Sequence, residues 1–114
     1  MFEIRWDEGA REDMQRIRLR AYEVRQIVDA VDEQLVHAPD RKTGRKKTIR
    51  PGEQFPFEHL EPVWQLRVGE YRVFYDVASR ETEPEDTEQP PFEGVVSIRA
   101  VRHKPGHKTT KDIL

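Results

Sequence analysis

Cations and imidazoles recur in the second half of this 114-residue chain in a pattern suited to phosphate chemistry. Arg67, Arg72 and Arg99 fall within apolar runs, and the run that carries Arg99 leads into Arg102, His103, Lys104, His107 and Lys108. His103 and His107 are the side chains there whose ordinary pKa lies near neutrality. Either can work as a general acid or base, while the adjacent cations hold a phosphate and offset charge that builds on it. His107 lies beyond Pro105-Gly106, so His103 is the stronger candidate. A second basic run comprises Arg41, Lys42, Arg45, Lys46, Lys47 and Arg50. Such runs are most often solvated segments, and they can also grip phosphates. Lys46 and Lys47 are expected to do so here, with Arg67, Arg99, Arg102 and Lys104.

Strands and helices must bring these groups together. Phe2, Ile4 and Trp6 alternate with Glu3 and Arg5, which predicts a half-buried strand. Asp7 then suits a helix N-cap, with Glu8 in the first turn. Ala10, Met14, Ile17, Ala21, Val24, Val28, Val31 and Leu35 recur at spacings of three and four, so residues 8–37 form one long helix or a helical hairpin that lines a core. Residues 40–62 are rich in proline and basic residues and predict a long loop. Residues 63–68 and 71–77 alternate as two strands joined at Gly69-Glu70, a two-residue hairpin turn with glycine first. Residues 95–101 form a further strand. Thr109 and Asp112 stand at capping-box spacing for a last helical turn.

Alternation sorts the strand residues into two faces. Trp64, Leu66, Tyr71, Val73, Tyr75, Val96, Ile98 and Ala100 share one, which the helices should cover. Gln65, Arg67, Arg72, Phe74, Ser97 and Arg99 share the other. Three arginines and an aromatic on an open sheet face suit nucleic acid. The alternative is that these arginines pair with Asp76 and the glutamates as ordinary charges.

Composition bounds these readings. The length suits one domain over residues 1–114 with a single modest core. Only 35% of residues are apolar and 37% are charged. The net charge of −2 is unevenly spread: residues 81–93 hold six acidic residues and no Lys or Arg, leaving 20 basic against 16 acidic elsewhere. Residues 79–94 therefore read as an acidic insertion on a mildly basic domain. The chain has no cysteine, which excludes disulfides and thiolate metal sites and fits a reducing cytoplasm. It lacks the features of a signal peptide and any apolar run long enough to span a membrane.

The order strand, helical stretch, loop, three strands, with the sequence Trp64-Gln65-Leu66-Arg67-Val68-Gly69-Glu70-Tyr71-Arg72-Val73-Phe74-Tyr75-Asp76-Val77, resembles the RelE/ParE toxins of bacterial toxin–antitoxin systems. The resemblance implies an α+β fold, with an N-terminal strand and helical hairpin packed on a small, mostly antiparallel sheet. It implies an antitoxin partner and, for the RelE branch, cleavage of messenger RNA on the ribosome without metal or cofactor. Arg72 matches the arginine after the hairpin tyrosine and takes the transition-state role by that resemblance, with His103 as acid or base. Lysines that RelE-branch toxins place on the preceding strand fall on Val63 and Gln65, which carry no charge. The ParE branch, which poisons DNA gyrase and needs no nuclease site, and a degenerate member that only binds its antitoxin, are the alternatives.

Overall fold

The computed structural model describes residues 1–16, 21–50, 52–79 and 93–114. Its elements are β1 (Phe2–Trp6), α1 (Glu8–Arg16), α2 (Ala21–Leu35), β2 (Lys46–Thr48), β3 (Trp64–Val68), β4 (Tyr71–Ser79), β5 (Gly94–His103) and α3 (Thr110–Ile113). The strands form one sheet in the order β1-β5-β4-β3-β2. β1 runs parallel to β5, and every other pair is antiparallel. The fold is α+β, as the strand and helix patterns predict. Among the described residues, no helix is long and apolar enough to cross a membrane. The acidic insertion falls largely outside the described residues, as does Ile17.

The hairpin forms because Gly69, at φ 57°, takes a left-handed conformation that costs glycine little. It joins β3 and β4 in the register Arg67↔Arg72 and Gln65↔Phe74. One sheet face packs on the helices. Trp64, Leu66, Val68, Val73, Tyr75, Val96 and Ile98 are buried there with Ile27, Val31 and Leu35 of α2, and Tyr71 packs at the margin of that core. The central contact of α2 is Ile27, outside the apolar series read from the sequence; Val24 and Val28 are only half-buried. The periodic stripe is therefore rotated slightly from its expected centre.

Two expectations fail on the opposite face. Ala100 does not join Val96 and Ile98: Tyr75 pairs with Ile98 and Phe74 with Ala100, so Arg99 is an extra residue in β5. This β-bulge shifts the alternation by one. Val101 then takes the helix side, and Ala100 joins Phe74. Nor is that face wholly open. Ile49, Val63, Phe74 and Ala100 form a second apolar cluster under Phe55, Phe57, Ile113 and Leu114. The proline-rich segment and the C-terminus thus roof one end of the face and leave its other end uncovered. Part of the expected basic loop is also a strand, since Lys46–Thr48 pairs along β3.

Candidate nucleic-acid interface

β2 and β4 each present one side chain to the uncovered end, Lys47 and Arg72, and β3 presents two, Gln65 and Arg67. In β2 and β3 the register Lys47↔Gln65 and Lys46↔Leu66 decides which lysine faces where. Leu66 is in the helix-side core, so Lys46 shares its side, while Lys47 lies on the other side with Gln65. Arg67 and Arg72, directly paired, share that second side. The segment after β5 brings Lys104, and the turn before β2 brings Arg45. A cleft of about 180 Å³ is lined by Thr43, Arg45, Lys47, Gln65, Arg67, Arg72, Lys104 and Thr110. A wider adjoining cleft shares Arg45, Arg67, Arg72 and Lys104 and reaches Glu70. Five cations therefore converge, and among the described residues none of them has a carboxylate partner.

Arg72 is the best-held of the five. Its residue is 9% exposed, and Nη1 donates to the carbonyls of Gly69 and Tyr71, each at 2.9 Å. Nε and Nη2 have no partner among the described residues. The hairpin's own carbonyls thus orient the guanidinium and leave its remaining donors for a ligand. Burial, then the neighbouring Arg67, pulls its pKa below the ordinary arginine value; the group still stays charged near neutrality. Arg67, Lys47 and Arg45 are exposed.

Other expected contacts are committed elsewhere. Arg99 donates through Nε to Asp76 at 2.7 Å, through Nη2 to the same carboxylate at 3.2 Å, and through Nη1 to Asp7 at 2.6 Å. The Asp76 hydrogen bond, joined by that to Asp7, raises its pKa against the pull of burial. Asp76 also accepts from the Leu60 amide at 2.9 Å, so this pairing ties the roof, the sheet and the start of α1 together. Asp7, predicted to cap α1, is thus engaged by Arg99. Arg102 reaches Asp13 of α1, which also accepts from the Val101 amide at 3.0 Å. That contact satisfies the edge of β5 where β1 has ended.

Lys46 is 4% exposed and donates through Nζ to the carbonyls of Gln34 at 3.1 Å and Ala38 at 2.6 Å. α2 has no basic residue in its last turn, and Lys46 supplies that charge from another element. Desolvation, followed by Arg41, lowers its pKa, and Asp40 opposes them.

His103 pairs with Tyr71 in the β4–β5 register, whereas Arg72 pairs with Arg102. Alternation therefore sends His103 and Arg72 to opposite faces. The exposed imidazole instead meets Glu70, Nε2 lying 3.1 Å from Oε2, and lies against Tyr71 with ring centroids 5.2 Å apart and the rings tilted by 46°. It reaches the cleft only through Glu70, the one acidic residue lining the two connected clefts. His107 is exposed and lines neither cleft.

Sequence reasoning placed Gln65 on one face with Arg67 and Arg72 and missed Arg45 and Thr110 as residues that join them. Arg45 stood in the basic run without a reason to choose it. The signal for Lys47 over Lys46 was the strand Lys46-Lys47-Thr48, too short to stand out.

No family model matches the chain, and no curated protein matches it in sequence. In three dimensions it is similar to a YoeB/ParE toxin from Agrobacterium tumefaciens, with a TM-score of 0.58 and 17% sequence identity over 91% of this chain and 100% of the other. At that identity the likeness is one of fold alone: the chain folds as that YoeB/ParE toxin does.

Proposed function

We propose that this protein is the toxin of a bacterial toxin–antitoxin pair, and that it cleaves messenger RNA at the ribosome as a metal-independent endoribonuclease. The observation that carries this reading is the convergence of Arg45, Lys47, Arg67, Arg72 and Lys104 on the smaller cleft, none of them paired with a carboxylate among the described residues, with Glu70 only in the wider cleft beside it. Holding five like charges together is unfavourable unless a polyanion neutralises them. The superfamily fold supplies the reason to think of a message as that polyanion. Lys47 stands opposite Gln65 in the register, so it restores a cation where the strand itself has lost one.

In this reading Arg72 and Arg67 grip the scissile phosphate. The message's 2′-hydroxyl attacks that phosphorus, a 2′,3′-cyclic phosphate forms, and the 5′-oxygen leaves. Both arginines stabilise the extra negative charge of the five-coordinate transition state, and Arg72 acts with donors already oriented. Glu70 takes the 2′-hydroxyl proton at the rim of the cleft, with His103 bonded behind it. Lys104, which lines the same cleft, protonates the leaving oxygen in this reading. The antitoxin is a protein that lays acidic side chains over the same cleft, so its binding weakens as salt rises.

The test is cleavage of a short message on ribosomes, with gyrase supercoiling measured in parallel. Arg72→Ala should lower the rate by about a hundredfold or more. It also removes two charge-assisted hydrogen bonds to the hairpin turn, each worth about 1.5–3 kcal/mol net, so melting is recorded for each variant. Arg72→Lys keeps the charge, loses the fork, and should fall between. His103→Ala should cut more slowly, because it removes the imidazole bonded behind Glu70. If the wild type blocks gyrase and leaves the message intact, the nuclease reading fails.

A further inference from the structure

The boundary between the cationic and apolar halves of the second face is Gln65, which is 4% exposed. Its neighbours toward the roof are Val63 and Phe74, and toward the cleft Lys47 and Arg67. Thr110, the first residue of α3, donates its hydroxyl to Gln65 Oε1 at 2.9 Å across 45 positions of sequence. That carbonyl oxygen is therefore satisfied. Among the described residues no buried side-chain nitrogen or oxygen lacks a partner, and Gln65 Nε2 has no protein partner, so this nitrogen opens on the cleft.

α3 is built to hold Thr110 in place. Thr109 caps it through a reciprocal pair of bonds: the Thr109 amide donates to Asp112 Oδ2 at 3.0 Å, and the Asp112 amide to Thr109 Oγ1 at 3.3 Å. Ile113 and Leu114 pack on the cluster of Ile49, Val63, Phe74 and Ala100. A four-residue helix has no stability of its own in water. Its cap and its apolar contacts fix it, and together they bring one hydroxyl to one amide.

We infer that Gln65 is a ligand-binding residue of this cleft, that Thr110 positions it, and that the pair turns the Gln65 NH₂ toward a phosphate oxygen of the bound strand. With Oε1 committed to Thr110, this end of the cleft offers donors: Arg45, Lys47, Arg67, Arg72, Lys104 and Gln65 Nε2. A ligand group carrying its own donors, such as a sugar hydroxyl or a base amino group, finds few acceptors there, chiefly the threonine hydroxyls. Phosphodiester oxygens, which only accept, satisfy the whole set. The cleft therefore reads backbone, and Gln65 adds a directed hydrogen bond to a field of mobile charges. The inference rests on the polyanion-binding reading above and goes further by giving the C-terminal helix a part in the site.

The experiment titrates the intact protein with a short single-stranded RNA and, separately, with inorganic triphosphate. The variants are Thr110→Val, Thr110→Ser, Gln65→Met and the Thr110→Val/Gln65→Met pair. Thr110→Val keeps the shape of α3 but removes the donor to the buried Gln65 Oε1, so melting should fall by about 4 °C, the worth of one hydrogen bond in a domain of this size, while affinity measured below that temperature falls about three- to tenfold. Thr110→Ser should bind as wild type does. Gln65→Met should show the same loss, and the double variant no more than Gln65→Met alone, because Thr110 acts through Gln65. Wild-type affinity in Thr110→Val overturns the inference, as does an additive loss in the double variant. Triphosphate binding without RNA binding defeats the message reading and leaves the inference to be judged on the triphosphate series. Binding of neither ligand by the wild type defeats both.

Discussion

Lys46 and Lys47 are adjacent in sequence, identical in type, and assigned opposite work by the register of β2 against β3. Replacing each by methionine separates the two jobs, because methionine keeps the unbranched stem and loses the ammonium. Lys46 Nζ serves two carbonyls at the end of α2, at 3.1 and 2.6 Å, from a residue only 4% exposed. Hydrogen bonds to a charged group are worth about 1.5–3 kcal/mol net, and a cation at a helix C-terminus adds about 0.3–1 kcal/mol. Burial of the ammonium offsets part of this, as the downward shift of its pKa records. Lys46→Met should therefore lose about 2–3 kcal/mol, on the order of 8–12 °C in melting temperature for a domain of this size. Its RNA affinity, measured below that temperature, should match the wild type. Lys47→Met should melt within about 0.5 kcal/mol of wild type, as exposed substitutions do. Its RNA binding should weaken, with a salt dependence shallower by about 0.7 in log–log slope for one lost phosphate contact on a single strand. Paired thermal melts and fluorescence-anisotropy titrations at several salt concentrations read both. If Lys46→Met melts normally and binds RNA weakly, the assignment of faces is wrong.

Three further outcomes follow from the packing. Asp76→Asn keeps the volume but strips the charge that holds Arg99 and places an amide NH₂ among donors. It should cost about 3 kcal/mol in urea denaturation, and a loss under about 1 kcal/mol would show that Asp7 alone suffices for Arg99. Gly94→Ala should destabilise by about 1–3 kcal/mol, since a Cβ there would lie 2.4 Å from the Ala78 carbonyl oxygen and 3.1 Å from the Phe2 ring; an unchanged melt would mean that the β4–β5 ends part easily. The Asp112 carboxyl is held below its ordinary pKa by the Thr109 amide and then the Thr109 hydroxyl. A group depressed in the folded state contributes above its unfolded pKa and loses that contribution as pH falls through the folded value. The Thr109 amide resonance should therefore shift on acidification below the ordinary carboxylate range, and Asp112→Asn should abolish that step.

The local pieces of this protein were legible in its residues. Alternation from Trp64 to Val77, with Gly69 at the turn, determined a hairpin and the side of it on which Arg67 and Arg72 stand, because successive side chains on a strand must point oppositely. Thr109 and Asp112 determined the cap of α3 in the same way, through bonds that span three residues. What the tertiary structure decided is which of these charges remain free. Arg99 alternates correctly up to Ile98, but an extra residue in β5 and a carboxylate 92 positions away turn it into a structural ion pair. His103 shares a strand with Arg102, and the same bulge sends it to the face opposite Arg72. Lys46 and Lys47 could be told apart only once β2 had found β3. Phe74, expected on an open face, is buried because the C-terminus folds back over it. Each of these outcomes depends on register and on partners distant in sequence, and a periodicity that reaches only a few residues carries no record of either.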